Sequence, residues 1–421
     1  MSDDTIGTTW SGREHPGPAQ ATDETQPTRH RGRQDWSAWP LYEAAAAGLQ
    51  EYWYPVAWAR NITGKPTAIR VCGQDVALVR SEGKVLALHD RCPHRGVPLS
   101  LGSCEFAGTL SCVYHGWTYD LGTGDLVAVI TDGPDSPIRG KVSVRTYPVA
   151  EQAGLVWVYP GALPPPDAEE ALPEELRRAT YVFGGRIEER PGNWRLAAEN
   201  GFDEGHAKYL HRTAWWRKFK TMPTWNKIHI QQDGRWLFRI EDERYWEADF
   251  PGVGHWTNKR WWRIKPKTGE QFRLGNTAAP KHPDPEIVGL KLPAFSSLTV
   301  PGVLRIAYPK FLHYEFYVPV DADHFRYVGL FVRLKDGWPA IAHRLKYLAV
   351  ARWLFHGQFS GQDAWMVSVT DCPPERLYRP DVSVISWRRL VERDARRGPA
   401  EQALVPYGET GTGAADDKER A

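Results

Sequence analysis

Apolar and polar positions alternate over short stretches between residues 52 and 159, and turn residues punctuate the alternation. Residues 67–71, 76–80 and 85–89 are runs of β-branched and apolar side chains, the last two separated by Glu82-Gly83. Such a period bounded by turn signals predicts strands. A second turn, Gly122-Thr123-Gly124, follows Trp117-Thr118-Tyr119, and an apolar strand at 154–159 closes the region. The pattern predicts an all-β unit. Pro160-Gly161 and Pro164-Pro165-Pro166 then interrupt regular structure and mark a boundary.

Beyond that boundary the period changes. Residues 193–211 carry few breakers and have apolar positions at helical spacing, and 341–367 reads as mostly helical, whereas 236–246 and 314–332 read as strands of a larger sheet. The second part is therefore predicted to be α+β. The expected division is a disordered N-terminal extension at 1–35, an all-β domain at 36–160, an α+β domain at 161–400 and a flexible tail at 401–421.

Composition narrows the function classes. The 421 residues are enough for two domains of ordinary size, about 100 to 200 residues each. The 53 basic and 51 acidic residues nearly cancel, and a formal charge of +2 excludes global attraction to nucleic acid or an anionic membrane. The first 35 residues hold no apolar stretch of signal-peptide type, and the longest late apolar segment, 347–355, is short for a membrane span and contains Arg352. A cytoplasmic protein is expected. Five cysteines (Cys72, Cys92, Cys104, Cys112 and Cys372) are too sparse for a disulfide framework and point to metal chemistry for some of them.

Two of them fall into a pattern. Cys92-Pro93-His94 and Cys112-Val113-Tyr114-His115 are separated by seventeen residues, 95–111, and each half sits where a loop is expected. Two thiolates hold one iron of a [2Fe-2S] cluster while two neutral imidazoles hold the other. A structural Cys₂His₂ zinc site uses the same ligand types, although zinc pairs usually segregate as Cys-x-x-Cys and His-x-His rather than mixing both in each half. Cys104 fits no ligand position and is expected to be a buried thiol, as are Cys72 and Cys372.

A second constellation lies at Asn200, Asp203, Glu204, His206 and His211. Non-haem iron that activates dioxygen is held by two histidines and one carboxylate on one face. On an ideal helix Asn200, Asp203 and His206 share a stripe, but His211 points roughly 140° away from His206, so a bulge or helix end is expected between them near Gly205. Glu204 lies off the stripe and is expected at the surface. On its own a histidine pair near a helix end is more often structural; the cysteine and histidine loops upstream shift the balance toward iron.

Cys92-x-His94-Arg95-Gly96 and Cys112-x-x-His115-Gly116-Trp117-x-Tyr119 resemble the signature of Rieske proteins, with the spacing of the oxygenase branch. Val97 and Tyr114 stand where respiratory Rieske proteins have disulfide cysteines, and Trp117 stands where they place a hydroxyl near a cluster sulfur. A low reduction potential, on the order of −150 mV, is implied. The run from Asn200 to His211 resembles the family's Asn-x-x-Asp-x-x-His-x₄-His motif. That resemblance makes His206 and His211 the iron ligands, with Asn200 beside them, and makes Asp203 the carboxylate linking a cluster histidine of one subunit to His206 of the next. It also points to Asp363, with Asp371 in reserve, as the carboxylate ligand.

Trp53-Tyr54-Pro55-Val56, Asn193-Trp194-Arg195-Leu196, Pro301-Gly302-Val303-Leu304 and residues 315–321 are similar to segments of the carbazole and 2-oxoquinoline oxygenase group. One departure is that this chain has four residues between the iron histidines where the carbazole enzymes have three. The resemblance implies an N-terminal all-β [2Fe-2S] domain followed by an α+β catalytic domain of helix-grip type, with an antiparallel sheet and helices. It implies the terminal oxygenase of a multicomponent system, a homotrimer receiving electrons from NAD(P)H through a reductase and a ferredoxin and hydroxylating an apolar aromatic or heteroaromatic substrate. The alternative within the same chemistry is a monooxygenase acting on a steroid, terpenoid or O-methylated aromatic. By the same analogy residues 215–295, including Trp225 and Phe295, line the pocket, although ordinary core is an equal reading for each aromatic. Residues 259–263 alternate charged and apolar side chains, a pattern that usually means one wet strand face.

Overall fold

A computed structural model describes residues 36–177, 181–215, 224–245, 247–257, 294–308, 310–333, 338–370 and 375–396. The expected terminal segments at 1–35 and 401–421, residues 259–263, Asp371, Cys372 and much of the expected pocket segment lie outside them.

The first unit is built from three antiparallel sheets of three strands each. Thr67–Val71, Gln74–Ser81 and Lys84–His89 form one, and the hairpin joining its last two strands turns at Glu82 and Gly83. Their φ values of +49° and +80° are the left-handed pair that a tight two-residue hairpin requires. Thr109–Ser111, Trp117–Asp120 and Leu126–Val129 form the second sheet, and Tyr54–Trp58 pairs with Leu155–Val158 in the third. Leu88, Leu99, Leu110, Tyr119 and Leu126 fill a core of their own beneath the two cysteine loops.

The second unit is a seven-stranded antiparallel sheet with helices against it. In spatial order its strands are Tyr181–Pro191, His324–Arg333, Phe311–Pro319, Val303–Tyr308, Ser296–Thr299, Trp236–Tyr245 and Trp225–Asp233. The strand Phe311–Pro319 is buried on both faces from Leu312 onward. Phe316 meets Trp157 of the first unit edge-on at 5.4 Å, so one continuous core runs beneath both units. Tyr317 faces the other way, toward the helix Trp194–Phe202, where a Cβ on Gly201 would fall 2.0 Å from the Tyr317 hydroxyl. Only glycine lets that helix settle so close to the sheet.

The helix end expected between His206 and His211 is present, where Glu204–Tyr209 gives way to a 3₁₀ turn, but the run also breaks earlier, before His206. Trp194–Phe202 ends at Asp203, whose backbone is extended (ψ 131°), and Glu204–Tyr209 begins anew from the same residue before tightening into the 3₁₀ turn Leu210–Thr213. Asp203 causes the restart by accepting the backbone N–H groups of Gly205 (2.9 Å) and His206 (2.8 Å), as an N-cap does. Asn200, Asp203 and His206 therefore do not share one continuous helical stripe.

The late helical region is Trp338–Lys346, then the π-helical stretches Tyr347–Ala351 and Trp353–Phe359, then Ser360–Val369. π-Helical turns are frequent beside functional sites; here they lead directly into Gln362 and Asp363. Among the described residues no helix is long and apolar enough to cross a membrane.

Candidate metal centres

The two cysteine loops are built alike. In each, the cysteine N–H bonds the carbonyl five residues on, Cys92 to Val97 and Cys112 to Trp117, both at 2.8 Å. The glycine four residues on returns its N–H to the cysteine carbonyl, Gly96 at 2.8 Å and Gly116 at 3.0 Å. Both glycines have left-handed φ, +73° and +62°, and a Cβ on Gly116 would meet Ile130 at 2.8 Å.

The loops sort their ligands by depth. Cys92 and Cys112 are buried, whereas His94 is exposed and His115 partly so. The imidazole rings approach edge-on at 4.6 Å, and His94 lies parallel to Trp117 at 4.8 Å. Burial, together with the neighbouring Cys92 thiol, pushes the Cys112 thiol up in pKa. Two buried thiolates side by side are stable only with a cation between them, and the buried His115 Nδ1, which makes no hydrogen bond, points to the same need. The donor set thus fits an iron–sulfur cluster. Sequence reasoning missed the Tyr119 hydroxyl, which lies 3.3 Å from Cys92 Sγ and supplies a bond to sulfur that Trp117 does not. Cys104, expected to be buried, is exposed in the loop after Leu101, next to Ser103, whose backbone pairs with Ser111. Cys72 is buried as expected.

His206, His211 and Asp363 converge from three turns of chain. Their ligand atoms lie within 4.8 Å of one another, with Asp363 Oδ1 3.4 Å from His206 Nε2 and 3.2 Å from His211 Nε2. Atoms bound roughly 2.1 Å from one ion at angles between about 90° and 109° are about 3.0 to 3.4 Å apart, so the spacing fits a shared metal. His211 Nε2 is buried and makes no hydrogen bond. The His211 ring stacks on Phe359 at 3.8 Å, and Asn200 donates to Asp363 Oδ1 at 3.1 Å.

Two carboxylates concentrate negative charge on His206. Burial alone would depress the His206 imidazole, but the Asp203 and Asp363 carboxylates outweigh it and raise its pKa to about 10. Asp363 is conversely held well below the usual carboxylate range, because His206 and His211 outweigh its burial. Asp203 is held down at about 2, where burial is outweighed by His206 and by two backbone N–H groups. Its Oδ2 lies 3.3 Å from His206 Nδ1, the ring nitrogen turned away from Asp363, and its side chain stays 22% exposed, which leaves one side open to a neighbour.

Glu204, expected at the surface, is buried. The restart at Asp203 turns it inward, where it pairs with Arg239 at 2.5 Å and with Lys208 at 3.7 Å. The described pocket aromatics pack in pairs, Trp225 stacked on Tyr245 at 3.6 Å and Phe295 edge-on to Tyr308 at 5.4 Å.

The chain resembles known proteins over most of its length. Residues 52–148 match the Rieske [2Fe-2S] domain and residues 159–224 match the homotrimeric ring hydroxylase family. The terminal oxygenase component of carbazole 1,9a-dioxygenase from Sphingomonas sp is 31% identical over 384 residues, covering 85% of this chain and 95% of that protein. The corresponding structure from Novosphingobium sp. KA1 has a TM-score of 0.68 at 26% identity and covers 86% of this chain and 96% of its own. A reduced complex between oxygenase and ferredoxin in carbazole 1,9a-dioxygenase has a TM-score of 0.65 at 26% identity, covering 85% of this chain and 92% of that one.

Proposed function

This chain belongs to the Rieske-type ring-hydroxylating terminal oxygenases, and on that premise we propose that Cys92, His94, Cys112 and His115 hold a [2Fe-2S] cluster while His206, His211 and Asp363 hold a mononuclear Fe(II). The electron-carrying unit is then 36–160 and the catalytic unit 161–400. The observation that carries the reading is the convergence of two histidines and one carboxylate at ligand spacing in a chain that also has both Rieske loops. Bound there, the iron supplies the reductive activation of dioxygen for addition to an aromatic ring.

The chain's own residues prepare that step. Asp203 orients His206 through the ring nitrogen that faces away from Asp363, and its exposed side is free to link to a cluster histidine of a neighbouring subunit in the trimer. Asn200 holds the Asp363 carboxylate in place by its hydrogen bond, and Phe359 covers one face of His211 and excludes water there. The protein works as a cytoplasmic homotrimer, taking electrons from NAD(P)H through a reductase and a ferredoxin, with an apolar tricyclic or heterocyclic arene as substrate.

Turnover under ¹⁸O₂ with reductase, ferredoxin and NADH across a panel of such arenes tests this. Two labelled oxygens in the product are expected. One labelled oxygen, appearing on a steroid, terpenoid or O-methylated compound instead, would establish monooxygenation, and unlabelled product would contradict oxygenase chemistry altogether.

A further inference from the structure

We propose that Gln362 is a positioning residue that selects the metal-binding tautomer of His211. This rests on the reading of His211 and Asp363 as ligands of the mononuclear iron.

The start of the Ser360–Val369 helix grips one imidazole by both its nitrogens. Gln362 Oε1 lies 2.9 Å from His211 Nδ1, and the next residue, Asp363, places Oδ1 3.2 Å from His211 Nε2. His211 is fully buried and stacked on Phe359, which fixes the plane of its ring. A neutral imidazole carries one proton, and the partner of one nitrogen decides whether the other is a donor or a lone pair. An amide oxygen only accepts. With that oxygen at Nδ1, the proton resides on Nδ1 and the Nε2 lone pair faces Asp363 Oδ1. Two acceptors face to face at 3.2 Å are stable only around a cation. The Gln362 amide nitrogen is engaged in turn by Thr213 Oγ1 at 3.0 Å, which ties the helix start to the 3₁₀ turn that carries His211.

The two histidines are thus oriented by different chemistry, His206 by a carboxylate and His211 by an uncharged amide. Charge explains the difference. Asp203 and Asp363 already balance a divalent ion, and a third carboxylate in the buried position would leave the site net negative.

The test uses full-length protein with its cluster intact and the mononuclear site emptied by a chelator. Dissociation constants for Fe(II), and the Co(II) ligand-field spectrum, are measured for wild type, Gln362→Met, Gln362→Glu, Thr213→Val and His211→Ala. Methionine keeps the volume but removes the acceptor, and the expected result is binding weaker by about 10- to 100-fold. Glutamate keeps the acceptor at His211 Nδ1, can accept from the Thr213 hydroxyl in place of the amide bond, and adds a negative charge; it is expected to hold metal at least as tightly as wild type. Thr213→Val, which loosens the amide without removing it, should fall between wild type and Gln362→Met. A role limited to the tie with Thr213 would instead make Gln362→Met no weaker than Thr213→Val, since both lose that contact. Wild-type affinity in Gln362→Met, or equal weakening in Met and Glu, overturns the proposal. If His211→Ala itself bound metal like wild type, the ligand reading would fall; if His211→Ala lost metal while Gln362→Met did not, only the tautomer role would.

Discussion

His206→Ala and His211→Ala are each expected to abolish turnover and strip the mononuclear iron while leaving the visible spectrum of the cluster unchanged. Each removes one of the two imidazoles that sit 3.4 and 3.2 Å from the third ligand, Asp363 Oδ1, and two remaining ligands do not retain a labile divalent ion. The cluster survives because its loops rest on a separate core of Leu88, Leu99, Leu110, Tyr119 and Leu126. His211 is fully buried, so its removal also leaves a cavity behind Phe359, and far-UV circular dichroism must show the variant folded. Iron assays and turnover on the same preparation check the prediction. Retained stoichiometric mononuclear iron in either variant would remove that histidine from the ligand set.

Asp203→Asn should have the next largest effect, of a different kind. Asparagine is as good an N-cap as aspartate, so the helix Glu204–Tyr209 should still begin where it does. It lacks the negative charge beside His206 Nδ1, which orients and polarises that ligand and would reach a cluster histidine of the neighbouring subunit. The expected variant keeps its cluster spectrum and most of its mononuclear iron while turnover falls by at least about a hundredfold. Near wild-type turnover would dismiss the linking role. Iron loss as complete as in the histidine variants would make Asp203 a ligand.

What the sequence disclosed depended on distance along the chain. The cluster loops were legible because all four donors lie within 24 residues, 92–115, and the hydrogen bonding that shapes each loop is local. The histidine pair was legible as a motif, and so was the helix end between its members; the break before His206 was not. A side chain that caps its own successor helix breaks the 100° periodicity, so Asp203 interrupts a stripe that periodicity alone draws as continuous. Glu204 was misplaced for the same reason, since its direction is set by the restart and by Arg239 on a distant strand. Asp363 lies 152 residues beyond His211, and only resemblance, not any local pattern, pointed to it. Gln362 left no signal of its own. Its role appears once the Ser360–Val369 helix is folded against the His211 turn, which no spacing rule predicts. The exposure of Cys104 was likewise unreadable, because a lone cysteine carries no periodic context.

The central claim is that one chain holds both a Rieske cluster and a mononuclear iron. Metal and acid-labile sulfide analysis of purified protein, prepared without added zinc, tests it most directly. Red-brown protein with about three irons and about two sulfides per chain is expected. Colourless protein carrying stoichiometric zinc and no sulfide would contradict it.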